Sequence, residues 1–223
     1  MERSFTLKLL PFFSSVVIYF KTHVFAASDP SYRKAILKCL PIYCLVYIAV
    51  SNRKMSSESK GFSKKIAIGL ALSSVGDAFL VWPDLFLPGM LAFSLAHMVY
   101  ISNFGWKPLF PKLGVILYFF VFIIISILVT GLDDIFIVAV PAYALLLTTM
   151  AWRATARYLT SPSRWRLISA LGSVLFLLSD AVLGVNKFLT PIPYGEFIVM
   201  MTYYGAQLCI SLGTFEVVLK KQK

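Results

Sequence analysis

The chain has 223 residues, of which 59% are hydrophobic and only 14% charged, with a mean hydropathy of +0.81. A soluble domain is about 45–50% apolar and ~25% charged, so disorder, a coiled coil and an ordinary water-soluble globule are excluded and a polytopic membrane protein is indicated. The net charge is +11, from 21 basic and 10 acidic residues; no basic segment is interleaved with aromatics as a nucleic-acid surface would require, so the charge reads as a record of which loops face the cytosol.

Runs of about 20 apolar residues, the length that spans a bilayer as a helix, predict an all-α bundle with eight transmembrane helices in a single domain covering 1–223. The segments are 7–25, 34–50, 64–82, 86–104, 112–130, 134–152, 166–187 and 195–219. The first is interrupted by Pro11 and Lys21, and it lacks a small-residue cleavage site, so it reads as a retained helix rather than a removed signal. Asp29-Pro30-Ser31 separates it from the second, and a polar stretch from Asn52 to Ser63 leads to the third. Trp82-Pro83-Asp84, Lys107-Pro108 with Pro111, and Gly131 to Asp134 break the next three connections. Thr160 to Ser163 and Thr190-Pro191-Ile192-Pro193 supply the last two. The loops leave no room for a soluble domain.

An even number of spans puts both termini on one side. That side collects every Lys and Arg except Lys21, Arg33, Lys34, Lys38 and Lys187, whereas Asp29, Asp84, Asp133, Asp134 and Glu196 fall opposite. The positive-inside rule therefore places both termini in the cytosol. The terminal Lys220-Lys221-Gln222-Lys223 reads as a cytosolic end-cap, with a dilysine-type retrieval signal as the alternative. The Trp residues near segment ends, Trp82, Trp106, Trp152 and Trp165, suit interfacial belts.

An internal echo is visible. Ser74-Val75-Gly76-Asp77-Ala78-Phe79-Leu80 in the third segment parallels Leu177-Leu178-Ser179-Asp180-Ala181-Val182-Leu183 in the seventh. Each precedes a Pro-containing turn and an aromatic-rich helix, so the halves read as a parallel 4+4 repeat.

Asp77 and Asp180 stand inside these apolar segments, well away from their ends. A charge at bilayer depth costs ~2.5–3.5 kcal/mol even on the lenient insertion scale, and such residues face the bundle interior or a wet cavity. Counted from Lys64 and from Arg166, both lie about 20 Å from the cytosolic side at 1.5 Å per residue. The equal depth predicts that they face each other. Two carboxylates in one poorly hydrated site hold their protons unequally, one serving as acid and one as base. The structural alternative is a pair of aspartates satisfied by Ser, Tyr or backbone groups.

Helical spacing adds neighbours. Gly69, Ser73 and Asp77 share a face of the third segment, and Ser173, Asp180 and Lys187 one of the seventh. Phe93, His97 and Tyr100 share a face of the fourth, and Tyr203, Gln207 and Ser211 one of the eighth. These place His97, Tyr203 and Gln207 as candidates to orient water or a substrate oxygen, with Tyr100 and Ser73 as further binding candidates. Asn186 and Lys187 lie at the non-cytosolic end, where Lys187 either snorkels to the interface or meets a lipid phosphate. Cys39, Cys44 and Cys209 sit in apolar runs and match neither a zinc motif nor a disulfide framework. Two histidines are too few for a His-rich metal site. There is no Gly-x-Ser-x-Gly elbow, His-Glu-x-x-His, Walker A or dinucleotide fingerprint. Ser-Val-Gly-Asp only partly matches the Gly-x-Gly-Asp of intramembrane aspartyl proteases, whose Tyr-Asp partner is missing.

Taken together, Ser74 to Leu80, Phe93-xxx-His97-xx-Tyr100, Phe104-Gly105, Ser179-Asp180, Asn186-Lys187-Phe188 and Met201-Thr202-Tyr203-Tyr204-x-Ala206-Gln207 resemble the YhhN-like lysoplasmalogenase family. The resemblance runs from about 36 to 215. Asn186-Lys187-Phe188 and the Pro-Ile-Pro-Tyr turn at 191–194 are more similar to the vertebrate A-type paralogue than to the B-type. The resemblance implies an eight-helix enzyme of the endoplasmic reticulum membrane, requiring no metal or other cofactor. It would hydrolyse the vinyl-ether bond of lysoplasmalogens to a fatty aldehyde and glycerophosphoethanolamine or glycerophosphocholine. That reaction suits the aspartates: protonation of the vinyl-ether β-carbon needs an acid, and the oxocarbenium ion and its water need a carboxylate. Its partners are the lysophospholipid substrate and membrane lipids. The competing class is a lipid or proton-coupled transporter using the same aspartates. Headgroup preference, the identity of the acid and oligomeric state stay open at this level.

Overall fold

The computed structural model describes residues 2–24, 29–51 and 57–216. Among them are eight α-helices and no strand: α1 (Glu2–Tyr19), α2 (Tyr32–Ser51), α3 (Ser57–Phe79), α4 (Phe86–Phe104), α5 (Pro111–Leu128), α6 (Phe136–Thr160), α7 (Arg164–Phe188) and α8 (Gly195–Leu212). The basic 220–223 tail and residues 52–56 of the polar connection lie outside the described residues.

Local chemistry sets the ends. Pro111 opens α5, where a missing N–H costs nothing. The Ser163 side chain accepts from Arg166 N at 3.2 Å and caps α7. Trp82-Pro83-Asp84 leads into a short 3-10 turn, Pro83–Leu85. The Asn186 side-chain oxygen accepts from Ile192 N at 2.8 Å and fastens the α7–α8 turn.

Several boundaries differ from expectation. α6 runs to Thr160 rather than 152, because Arg153 does not end the helix: it donates to the carbonyls of Gly105 (2.7 Å), Leu109 (3.0 Å) and Pro108 (2.6 Å) and is fully buried. α3 begins at Ser57, inside the stretch read as a loop, and ends at Phe79 rather than 82. Asp77 therefore sits in the last turn of α3, not well inside it, whereas Asp180 is two turns from the end of α7. π-helical turns extend α1 from Phe20 to Val24.

Helices packed against each other are α1 on α2, α2 on α3, α3 on α4, α4 on α6, α5 on α6, α6 on α7, and α7 on α8, with α8 closing back on α2. Gly172 lets α7 and α8 meet: a Cβ there would lie 2.6 Å from Cys209 Cβ and 2.8 Å from the Ala206 carbonyl oxygen. The core runs through Ile42, Leu45, Leu70, Phe93, Leu147, Phe176, Tyr203 and Ile210. Cys39 is buried, Cys44 and Cys209 half-buried, and all three are free thiols.

Among the described residues, five helical segments are long and apolar enough to cross a membrane: Tyr32–Ser51, Pro83–Phe104, Pro111–Gly131, Phe136–Thr160 and Arg164–Phe188. This makes the chain a multi-pass membrane protein. α1, α3 and α8 fall short on that measure; α3 opens on a polar stretch and ends on Asp77. α5 is the most apolar of the five and the least covered by protein, with Val115, Phe119 and Phe122 projecting outward.

Candidate active site

One cavity of about 340 Å³ lies among the helices and takes lining residues from all eight. Its polar wall is Tyr19 of α1, Lys34 and Lys38 of α2, Asp77 of α3, Tyr143 of α6, Ser179, Asp180 and Asn186 of α7, and Glu196 and Tyr203 of α8. Its apolar wall is Met90 and Phe93 of α4, Val121, Ile124, Ile125 and Leu128 of α5, and Val140, Ala144 and Leu147 of α6. A narrow apolar space with polar groups converging on one part of it is the shape of a site for an amphipathic small molecule.

Both expected aspartates line this cavity. They share no hydrogen bond but lie within electrostatic reach of each other. Each is held by a tyrosine. Tyr203 donates to Asp77 Oδ2 at 2.5 Å, and Tyr143 donates to Asp180 Oδ2. Asp77 also faces an ammonium, Lys38 Nζ, 3.8 Å from Oδ1. The Lys38 backbone carbonyl accepts from Tyr204 OH at 2.8 Å, and Cys39 Sγ donates to the Ser74 carbonyl at 3.1 Å, so α2 is pinned to α8 and α3 beside this pair.

Behind each tyrosine stands a second polar residue. Gln207 Nε2 donates to Tyr203 OH at 3.4 Å, and Tyr100 OH donates to Gln207 Oε1 at 3.1 Å. On the other side, His97 Nε2 meets Tyr143 OH at 3.0 Å. Since Tyr143 gives its own proton to Asp180, His97 is the donor in that contact and carries its hydrogen on Nε2. Edge-on rings of Phe93, Phe176 and Tyr203 fill the space between the two arrays, with centroids 5.4–6.0 Å apart. Gly76 permits this: a Cβ there would meet the Phe93 ring at 2.6 Å.

The expected binding residues thus divide. Tyr203 and Asn186 line the cavity, although Asn186 spends its side-chain oxygen on the α7–α8 turn. His97, Tyr100, Gln207 and Ser73 are buried one layer behind the wall. His97 touches the cavity-lining Tyr143 and Gln207 the cavity-lining Tyr203, with Tyr100 behind Gln207, so these residues stand beside the wall rather than in it. Lys187 is exposed and outside the cavity, its ammonium 5.2 Å from the Phe86 ring centroid. It does not converge with the aspartates because it lies about 10 Å beyond Asp180 along the axis, at the end of α7.

Sequence reasoning passed over Lys38, Tyr143, Tyr19, Lys34 and Glu196. Lys38 carries a signal equal to that of Asp77, a charge within an apolar run, but by position it falls with the non-cytosolic flank. Tyr143 carries none, because a tyrosine in an apolar helix reads as packing. Among the described residues no three His, Cys, Asp or Glu side chains converge as a metal site would need.

Comparison with known proteins places this geometry in context. The YhhN family pattern matches residues 33–214. The chain is 35% identical over 214 residues to the lysoplasmalogenase TMEM86A of Bos taurus and of Homo sapiens, covering 94% of this chain and 89% of each relative. It is 37% identical over 204 residues to the lysoplasmalogenase TMEM86B of Sus scrofa, covering 92% and 84%. The longer alignment marginally favours the A-type relative. No solved structure matches the chain.

Proposed function

The chain belongs to the YhhN family, and from that premise we propose that it is a lysoplasmalogenase, hydrolysing the vinyl-ether bond of lysoplasmalogen within the bilayer. The alkenyl chain occupies the apolar wall along α5 and α6, and the glycerol side meets the polar wall. The observation that carries the mechanism is that two aspartates on different helices line one cavity, each with a tyrosine hydroxyl on one carboxylate oxygen.

Asp77 and Asp180 are the catalytic pair. Asp77, the one of the two that faces an ammonium, Lys38 Nζ at 3.8 Å from Oδ1, is the base in this reading, and Asp180 is the acid. Asp180 gives its proton to the β-carbon of the vinyl ether, and an oxocarbenium ion forms at the α-carbon. The Asp77 carboxylate stabilises that cation and takes a proton from the attacking water. The resulting hemiacetal collapses: its hydroxyl proton is lost to Asp180, the C–O bond to glycerol breaks, and the glycerol oxygen takes the proton held by Asp77. A fatty aldehyde and the glycerophospho-alcohol leave, and both carboxyls return to their starting states. Tyr143 and Tyr203 hold the carboxyls in place, with His97 and Gln207 positioning the tyrosines.

The same reading takes α1, α3 and α8 as spans alongside the five long apolar helices. Both termini are cytosolic, and the membrane is that of the endoplasmic reticulum. A parallel 4+4 repeat is supported by the partners of the aspartates. Asp77 on α3 takes Lys38 from the helix before it, and Asp180 on α7 takes Tyr143 from the helix before it, both near the starts of those helices.

The test is purified, folded protein incubated with a 1-alkenyl-glycerophosphoethanolamine and with its saturated 1-alkyl analogue. Aldehyde from the first alone is expected, and Asp77→Asn and Asp180→Asn each abolish it. Lipid or proton flux across vesicles without aldehyde would return the aspartates to transport.

A further inference from the structure

Beyond the aspartates and Lys38, the cavity contains two charges that the proposed hydrolysis does not use, Lys34 and Glu196. Lys34 and Lys38 are one turn apart on α2, about 6 Å along the axis, and both line the cavity. Lys34 Nζ lies 3.3 Å from Glu196 Oε1, and Tyr19 OH donates to the same oxygen at 3.3 Å. The Lys38 side chain is 10% exposed, yet its ion-pair contact with Asp77 is 3.8 Å, well beyond the ~2.7–2.9 Å of a close charge-assisted hydrogen bond. A buried ammonium so loosely matched is expensive unless a further anion completes it. The Glu196 side chain, by contrast, is 45% exposed and stands at the cavity's opening. Along one line the site therefore presents a deep ammonium, a second ammonium one turn outward, and a carboxylate at the rim.

We propose that Lys34, Lys38 and Glu196 form a subsite for a zwitterionic phosphodiester headgroup, a phosphate followed by an amine. The proposal rests on the lysoplasmalogenase reading of the same cavity. The phosphate lies between Lys34 and Lys38, and the amine replaces Lys34 as the partner of Glu196. Lys38 has three N–H donors, so it serves the phosphate while facing Asp77. The short glycerol span then sets the ether bond beside Asp77, with the chain running toward α5. The order of charges discriminates: a phosphate monoester lacks the amine and leaves Glu196 facing added negative charge, and a neutral glyceryl ether brings no further anion to Lys38 and leaves Lys34 with Glu196.

Calorimetric binding of uncleavable 1-alkyl ethers to the purified full chain tests this whether or not the protein hydrolyses them. Three ligands are compared: 1-alkyl-glycerophosphoethanolamine, 1-alkyl-glycerophosphate and 1-alkylglycerol, with inorganic phosphate as competitor. The phosphoethanolamine ether is expected to bind about tenfold or more tightly than the other two. In Lys34→Met its advantage over 1-alkylglycerol collapses, and in Glu196→Gln its advantage over 1-alkyl-glycerophosphate collapses. Equal affinities in the wild type, or ratios unchanged in both variants, would overturn the subsite. Displacement of the ether by submillimolar inorganic phosphate would also overturn it, by assigning the lysines to a free anion. Aldehyde release from the alkenyl lipid, measured alongside, reports on the enzymatic reading separately.

Discussion

Replacing Tyr203 by Phe removes a single oxygen from the site. The ring stays, packed edge-on against Phe93 and Phe176, so the bundle loses little apolar contact. What goes is the 2.5 Å hydrogen bond to Asp77 Oδ2 and the acceptor for Gln207 Nε2. A hydrogen bond to a charged group is worth about 1.5–3 kcal/mol. If the bond holds Asp77 in place as cation and proton acceptor, its loss falls on the transition state, and at 1.36 kcal/mol per decade the expected fall in kcat is roughly 10- to 150-fold. KM for an alkenyl lipid should move far less, because Tyr203 only borders the chain's path. The assay is aldehyde release by protein of verified monodispersity and unchanged melting temperature. A kcat within twofold of wild type in such protein would show that the Tyr203–Asp77 contact is packing and would remove the reason for assigning Asp77 to the chemistry.

Other perturbations read different parts of the molecule. Ile124→Trp, on the apolar wall, shortens the chain space, so KM should rise severalfold for long alkenyl chains and little for short ones; an equal effect at all lengths would place the chain elsewhere. Arg153→Met strips three donors from the carbonyls that hold the α4–α5 connection and should lower the melting temperature in detergent by several degrees, corresponding to about 1–3 kcal/mol. Gly172→Ala forces a methyl against the Ala206 carbonyl and should loosen α7 from α8, seen as faster proteolysis and a lower melting temperature, with a cost of about 1–3 kcal/mol.

Much of this architecture is written in hydropathy. α4, α5 and α7 follow their apolar runs to within a few residues, because a helix is the solution that satisfies its own backbone where water is absent. The rule fails where a charge is satisfied locally. Arg153 looks like the end of a span, but three backbone carbonyls accept its protons and α6 continues past it. Asp77 and Asp180 stand out for the same energetic reason that makes Arg153 misleading: a buried charge must have partners, and the sequence does not say whether those partners are a loop or a cavity. Tyr143 is the harder case. Its hydroxyl completes the Asp180 array, yet an aromatic in an apolar helix is indistinguishable by pattern from core packing. Helical spacing did group His97 and Tyr100, and Tyr203 and Gln207, but could not tell the wall of the cavity from the layer behind it.

The position of α5 bears on how the products part. Val121, Ile124, Ile125 and Leu128 face inward to the cavity while Phe119, Phe120, Phe122 and Ile123 face outward, so a single helix stands between the chamber and the acyl chains of the bilayer. A greasy aldehyde released there need never touch water; it can slip sideways past that partition into the leaflet. If the headgroup lies at Lys34 and Lys38, the soluble fragment has a separate route, past the exposed Glu196 side chain. Such divided traffic would empty the chamber of each product by its own solubility.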